Sequence, residues 1–414
     1  MITTGSAQRL LDGPGPATGA ERFDAHLARL GPVPSHVARE LIPSLEASGL
    51  LGRGGAGFPV GRKWRALAER RGGKAVVLAN GAEGEPASHK DRILMASRPH
   101  LVLDGAILAA DAIDADEIVF YVGMEHETAT AAMRRAIEER RAEFRRTVRL
   151  VLAPIGYVAG EASAAVHYVN SGDARPMTTP PRVSERGVHG RPTLVQNVES
   201  LAYAALIARM GERWYRSAGR EASRGTALVT VTGTGRNDGV REIELGTTVG
   251  DIAASAGIAS SAVQAVVIGG YFGTWAPARA IWDLPLDPAI LTTQDLTFGC
   301  GVIGLLSNGV CGVAATAQIV AYMAKESPGQ CGPCLYGLRS LGEATTRVAD
   351  GQGAPHELAD IERWTRQIPG RGACHHPDGA VQLMTSALNV FGDEFVHHAS
   401  TGRCSVTGNR IAAA

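Results

Sequence analysis

Apolar residues fall into two alternating textures along this chain. Short unbroken runs, "KAVVLAN" (74–80), "EIVFYVG" (117–123) and "TVRLVLAPI" (147–155), read as strands in a buried sheet. Between and around them, "LVLDGAILAADAI" (101–113) and "TATAAMRRAIEERRAEF" (128–144) read as helices. Upstream, "PSLEASGLLGRGGAGFPVGRKWRALAER" (43–70) predicts a helix, a glycine-rich loop and a second helix. Strands alternating with helices predict right-handed crossovers and a mostly parallel sheet that binds ligands beyond its carboxyl ends.

The texture changes after about Gly219. "TALVTVTGTG", "GVREIELG", the short helix "TVGDIAASAG" and "AVQAVVIGG" predict a compact β-rich module resembling a ubiquitin-like grasp. The uncharged stretch "GCGVIGLLSNGVCGVAATAQIVAYMA" (299–324) is long enough to span a bilayer. "SNG" cuts it in two, so it reads as a buried strand followed by an apolar helix from near Gly309, with no membrane span. The chain then reads as helical to His398. Residues 1–40, with clustered Gly and Pro, read as an extended lead, and residues 401–414 as a tail.

Composition narrows the chemistry. The 41 basic and 41 acidic residues cancel, which argues against a nucleic-acid partner and favours small molecules or proteins. The first residues show no basic cluster leading into an apolar core, so a cytoplasmic protein is expected, with its six cysteines reduced. "RRAIEERRAEFRR" is a solvated helix face, and His100, His167 and His189 read as packing or surface residues.

Candidate chemistry begins in "GRGGAGFPVGRKW" (52–64). Gly52, Gly54, Gly55 and Gly57 let backbone N–H groups approach an anion, and Arg53, Arg62 and Lys63 supply positive charge, so a phosphate is the expected guest. A tight interhelix turn would look similar. "ANGAEGEPASHKDR" (79–92) follows a strand at once, where Asn80 can meet a polar ring edge and Glu83 and Glu85 can accept from sugar or ribityl hydroxyls.

With "YVAGEASAAVHYVNSG", "GRPTLVQNVES" and "ESPGQCGPC…GACHH", these motifs stand in the order and spacing of a known family. The chain resembles the FMN- and NADH-binding flavoprotein subunit of respiratory complex I and its relatives in soluble hydrogenases and formate dehydrogenases, from about residue 45 to 398. The resemblance implies an α/β fold. A Rossmann-like FMN- and NAD(P)H-binding domain (41–222) would be followed by a ubiquitin-like, soluble-ligand-binding β-grasp domain of the SLBB type (223–295) and a C-terminal helical bundle carrying a 4Fe-4S cluster (296–400). By position, Gly54, Gly55, Gly57 and Lys63 match the loop that contacts FMN and its phosphate. Asn80 and Glu83 match flavin-binding residues, and Glu85 one nearer the nicotinamide nucleotide. Phe58 and Tyr157 match aromatic side chains beside the nucleotides, Gly160 and Glu161 the start of a GEE motif, and Gln196 and Asn197 an Asn-Asn pair. Glu85 and Glu161 are the candidate catalytic carboxylates.

The chain departs from that pattern where chemistry is expected. Ala82 replaces an acid beside the flavin, Ala162 the second glutamate of GEE, and Arg182 an aromatic expected to stack on the dinucleotide. Loss of the carboxylate and gain of a guanidinium fit either a 2′-phosphate, as in NADPH, or a pocket that takes no dinucleotide. The family's cysteine motif starts with Pro328 here, leaving Cys331, Cys334 and Cys374 as metal ligands. Those thiols fit a 4Fe-4S or 3Fe-4S cluster with His375, His376 or water completing it, a site without a cluster, or a dithiol or zinc site. Of the other cysteines, Cys300 is expected to end a strand, Cys311 to start a helix and Cys404 to lie in the tail.

The expected function is flavin-dependent electron transfer. FMN takes a hydride from NAD(P)H and single electrons pass to an iron-sulfur cluster or to a ferredoxin or other iron-sulfur protein, within a multi-subunit redox complex. The alternative is an FMN-binding relay or assembly subunit that does not oxidise NAD(P)H.

Overall fold

The computed structural model describes residues 8–14, 19–34, 38–70, 73–220, 222–233, 235 and 238–406. The expected lead and tail therefore lie partly outside the described residues. The chain divides into two compact units: Met1–Thr230 with Gly239–Thr247, and Val231–Asp238 with Thr248–Ala414.

The first unit is mixed α/β with a parallel sheet. Its strands are β1 (Ala75–Gly81), β2 (Ala115–Gly123), β3 (Thr147–Ala153) and β4 (Thr193–Asn197), ordered β3-β2-β1-β4. β1 and β2 are buried on both faces, which is why their sequences run apolar without alternation, whereas the edge strand β3 is only partly covered. Its helices are α1 (Phe23–Leu30), α2 (Ala38–Ser48), α3 (Val60–Ala68), α4 (Lys90–Ser97), α5 (Pro99–Ala112), α6 (Glu127–Glu139), α7 (Ala162–Ser171) and α8 (Val198–Arg216). α5 and α8 meet backbone to backbone: a Cβ on Gly105 would lie 2.0 Å from the Leu201 carbonyl oxygen. Strand order reverses between β1 and β4, where Asn80 and Asn197 are register partners. The crevice at such a switch point is where parallel sheets hold ligands.

The lead is not simply extended. It carries α1, and Leu10 and Leu11 are buried. The Arg9, Leu10 and Leu11 N–H groups donate to the Glu242 carboxylate, while the Arg98 guanidinium donates to the Leu11, Asp12 and Pro14 carbonyls. Gly and Pro as loop signals gave no hint of these distant anchors. α1 is fixed through buried His26, whose Nε2 lies 2.7 Å from Asp104.

β5 (Thr226–Thr232) and its neighbour β6 (Gly239–Glu244) follow, and the boundary between units falls inside β5. The second unit contains β7 (Val263–Ile268), β8 (Thr274–Pro277) and β9 (Val302–Ser307), with β7 pairing antiparallel to both others. Its helices are α9 (Val249–Ser255), α10 (Ala278–Ile281), α11 (Pro288–Thr292), α12 (Gly312–Lys325), α13 (Arg339–Ala349), α14 (Pro355–Gln367) and α15 (His376–Thr401). The apolar stretch 299–324 divides, as expected, into β9 and α12. Among the described residues no single helix is long and apolar enough to cross a membrane; α4 and α5 pass together only as a pair bent by 98°.

Candidate functional site

The glycine-rich loop is pinned at its neck. Leu51 and Pro59 form an antiparallel bridge, the Gly52 N–H donates to the Phe58 carbonyl at 2.9 Å, and Val60 donates to Leu50 at 3.0 Å. Its crown passes over the switch point: a Cβ on Gly54 would lie 3.3 Å from the Asn197 Cβ. Gly55 and Gly57 have φ of 104° and 63°, a left-handed geometry with open space where a side chain would project. The Phe58 ring beside them is 55% exposed.

The three expected cations separate. Arg53 turns inward, donating to the Tyr215 hydroxyl and the Thr226 carbonyl, with Glu199 at 3.7 Å, so it serves the core and not a phosphate. Arg62 is exposed. Lys63 donates to the Val195 carbonyl near the end of β4, and burial pushes its ammonium down to about 8.

Two loops close the opposite wall. The Asn80 amide donates to the Gly160 carbonyl at 2.8 Å, and a Cβ on Gly84 would strike the Tyr157 and Gly156 carbonyl oxygens at 2.5 and 2.8 Å. Glu85 is buried and accepts from the Tyr157 hydroxyl at 3.1 Å, so these two candidates stand together. Glu83 and Glu161 are engaged differently from the expectation. Glu83, at φ 47°, accepts from the Asp91 and Arg92 N–H groups, the Ser88 hydroxyl and the Arg92 guanidinium, which caps α4. Burial opposes its ionisation, but Lys90, those N–H groups and Arg92 hold its carboxyl below the usual range. Exposed Glu161 is the N-cap of α7, accepting from the Ser163 and Ala164 N–H groups.

Gln196 is buried and accepts from the Trp64 indole at 3.4 Å. Asn197 caps α8 through the Glu199 N–H, and its amide donates to Asp91 at 2.7 Å. Below it lies a network that the sequence pattern did not reveal: buried Lys90 sits 2.7 Å from Asp91 and 2.9 Å from Glu199. Burial, with Glu83 and Glu199 close by, pushes the Asp91 carboxyl up to about 7 against the pull of Lys90. The local signal was "HKDR" entering an otherwise apolar helix. Among the departures, Ala82 packs into the apolar cluster of Val76, Leu78 and Tyr121, and Arg182 is exposed on a turn with Glu185.

In the second unit, Cys331 precedes a π-helical turn, Pro333–Leu338, that holds buried Cys334. Burial pushes the Cys334 thiol up to about 11; a Ser327 hydrogen bond works against this, while the nearby Cys331 and Cys374 add to it. Cys334 also lines a groove of about 600 Å³ between α12 and α13. The histidines offered as fourth ligands are turned to other partners. His375 is exposed and paired with Asp378 at 3.1 Å, and buried His376 meets the Met323 carbonyl through Nε2. Ser327, beside Cys334, was not anticipated. Cys300 precedes β9 instead of ending a strand, bonding to the Gly269 carbonyl, and Cys404 is buried.

Both donor sets suit the groups the motifs imply. A glycine cradle followed in sequence by a buried ammonium fits a phosphate-bearing cofactor, and three neighbouring thiols fit an iron-sulfur group short of one cysteine. Fold and sites together define an oxidoreductase component of the FMN and iron-sulfur type. The Nuo51 FMN-binding domain profile matches residues 45–205, and that of the NADH-ubiquinone oxidoreductase-F iron-sulfur binding region matches residues 314–398. The second NADH-quinone oxidoreductase F subunit of Rhizobium meliloti (strain 1021) is 30% identical over 379 residues, covering 88% of this chain and 90% of that one. The corresponding F subunit of Escherichia coli (strain K12) is 29% identical over 371 residues, covering 86% and 83%. An NAD+-reducing NiFe hydrogenase solved in the H2-reduced state superposes with a TM-score of 0.81 at 28% identity; the match covers 89% of this chain and 64% of the hydrogenase chain. The chain belongs to the family of NADH-quinone oxidoreductase F subunits.

Proposed function

We propose that this chain oxidises NAD(P)H with bound FMN and delivers electrons singly to an iron-sulfur group at Cys331, Cys334 and Cys374, or to a ferredoxin-like acceptor. The observation that carries the reading is the pinned glycine loop closing over the Asn80–Asn197 pair at the switch point of a parallel sheet. FMN, when bound, supplies the exchange between a hydride's electron pair and single electrons.

The chain's residues bind and orient. Gly54, Gly55 and Gly57 would hold the cofactor's phosphate with backbone N–H groups, and Lys63 would supply positive charge to it. Asn80 and Asn197, register partners at the switch point, would hold the flavin ring, with Gln196 next to Asn197 fixed by Trp64. Glu83 and Glu161 act as positioning residues, holding α4 and the 157–161 loop, while the Glu85–Tyr157 pair and exposed Phe58 offer contacts to the dinucleotide.

The β-grasp module at 223–295 belongs to this proposal; the order β5, β6, α9, β7 supports it. So do the helical iron-sulfur domain at 296–400, the cytoplasmic setting and a place in a multi-subunit redox complex, as in the family's relatives. A second reading, an FMN-binding relay or assembly subunit without NAD(P)H oxidation, is favoured by Ala162 and the exposed Arg182. Steady-state oxidation of NADH or NADPH with an artificial acceptor separates the two: turnover supports the enzyme, and flavin retention without turnover supports the relay.

A further inference from the structure

Away from both cofactor sites, four ligating side chains converge in the second unit. Cys311, Glu394, His398 and Cys404 each offer one ligand atom within 4.8 Å of all the others. Three are buried, and the Glu394 side chain is only 16% exposed. Each is presented by local structure. Cys311 is the N-cap of α12, Glu394 and His398 lie one turn apart on α15, and Cys404 follows the left-handed Gly402 that ends it.

The imidazole sets the chemistry. His398 Nδ1 lies 3.1 Å from the Ala349 carbonyl oxygen and 3.3 Å from that of Val348; carbonyls only accept, so Nδ1 carries the hydrogen. The other ring nitrogen, Nε2, then faces the Cys311 sulfur, 3.5 Å away, and a Glu394 oxygen 3.0 Å away. Four ligating atoms this close in a largely buried site can share one cation, and an outer N–H held by a backbone carbonyl is the usual support of a metal-bound histidine. The Ser405 N–H and hydroxyl fix the same carboxylate from outside.

We propose that Cys311, Glu394, His398 and Cys404 form a four-ligand structural zinc site. Two sulfurs, one imidazole nitrogen and one carboxylate oxygen suit tetrahedral Zn2+, and the protein donors fill every position, as in a structural centre. Zinc displaces the two thiol protons to solvent, and no electrons move. The ion ties the start of α12, whose far end leads into the Cys331–Cys334 turn, to the end of α15.

The test uses the full-length chain carrying Cys331→Ser, Cys334→Ser and Cys374→Ser, so that zinc at those thiols is removed from the count. Expressed with zinc and dialysed, this protein is expected to retain stoichiometric zinc by elemental analysis. Adding Cys404→Ser or, separately, Glu394→Gln should lower retention at least tenfold while far-ultraviolet circular dichroism stays native. A chelator should lower the unfolding midpoint of the zinc-bearing protein and leave the Cys404→Ser version unmoved. Absence of zinc, zinc unaffected by either added substitution, or a Cys311–Cys404 disulfide in anaerobically isolated protein overturns the proposal.

Discussion

Lys63 gives the flavin cradle a pH signature. Its ammonium, pushed down to about 8 by burial, costs the free protein stability below that pH, and the cost fades as pH rises from about 8 toward the ordinary lysine value. A bound phosphate pulls the pKa back up. FMN binding near pH 8 should therefore take up a proton, measurable as buffer-dependent heat in titration calorimetry, and affinity should fall as pH rises above 8. Lys63→Met should abolish the proton uptake. Gly84→Ala tests the opposite wall: a Cβ 2.5 Å from the Tyr157 carbonyl forces the two loops apart, so FMN affinity should drop at least tenfold in fluorescence titration. The glycine loop and Asn80 stand out in the sequence because each belongs to a local motif, and Asn197 was singled out only through the family resemblance. The inward turn of Arg53 was not, since its partners Tyr215 and Thr226 lie far along the chain.

Single residues also govern how elements meet. Asn197 ends β4, caps α8 and holds Asp91, so Asn197→Ala removes a cap and leaves a buried carboxyl short of a donor. Denaturant unfolding should show a loss of about 2 kcal/mol. Gly105→Ala drives a methyl into the Leu201 carbonyl, and separating α5 from α8 should cost about 3 kcal/mol by the same measurement. Strands β1 to β3 and the helices between them were readable from apolar runs and helical periodicity. The docking of residues 9–14 was not: it depends on Glu242 and Arg98, which no local pattern links to the lead.

At the scale of the molecule, the proposed flavin site belongs to one unit and the proposed cysteine site to the other. Anaerobic reconstitution with iron and sulfide should load iron onto the wild-type chain; Cys374→Ser should lose it and Cys300→Ser retain it, as read by iron analysis. The spacing of Cys331 and Cys334 marks them as a pair and the family resemblance alone adds Cys374, whereas the burial of Cys334 beside Ser327 required the folded π-helical turn. The central claim, that this chain passes electrons from pyridine nucleotide through FMN, is tested most directly by titrating the FMN-loaded, full-length protein anaerobically with NADH and then NADPH. The account predicts that the flavin absorbance bleaches stepwise with at least one of the two. A flavin spectrum unchanged through a large excess of both would contradict it.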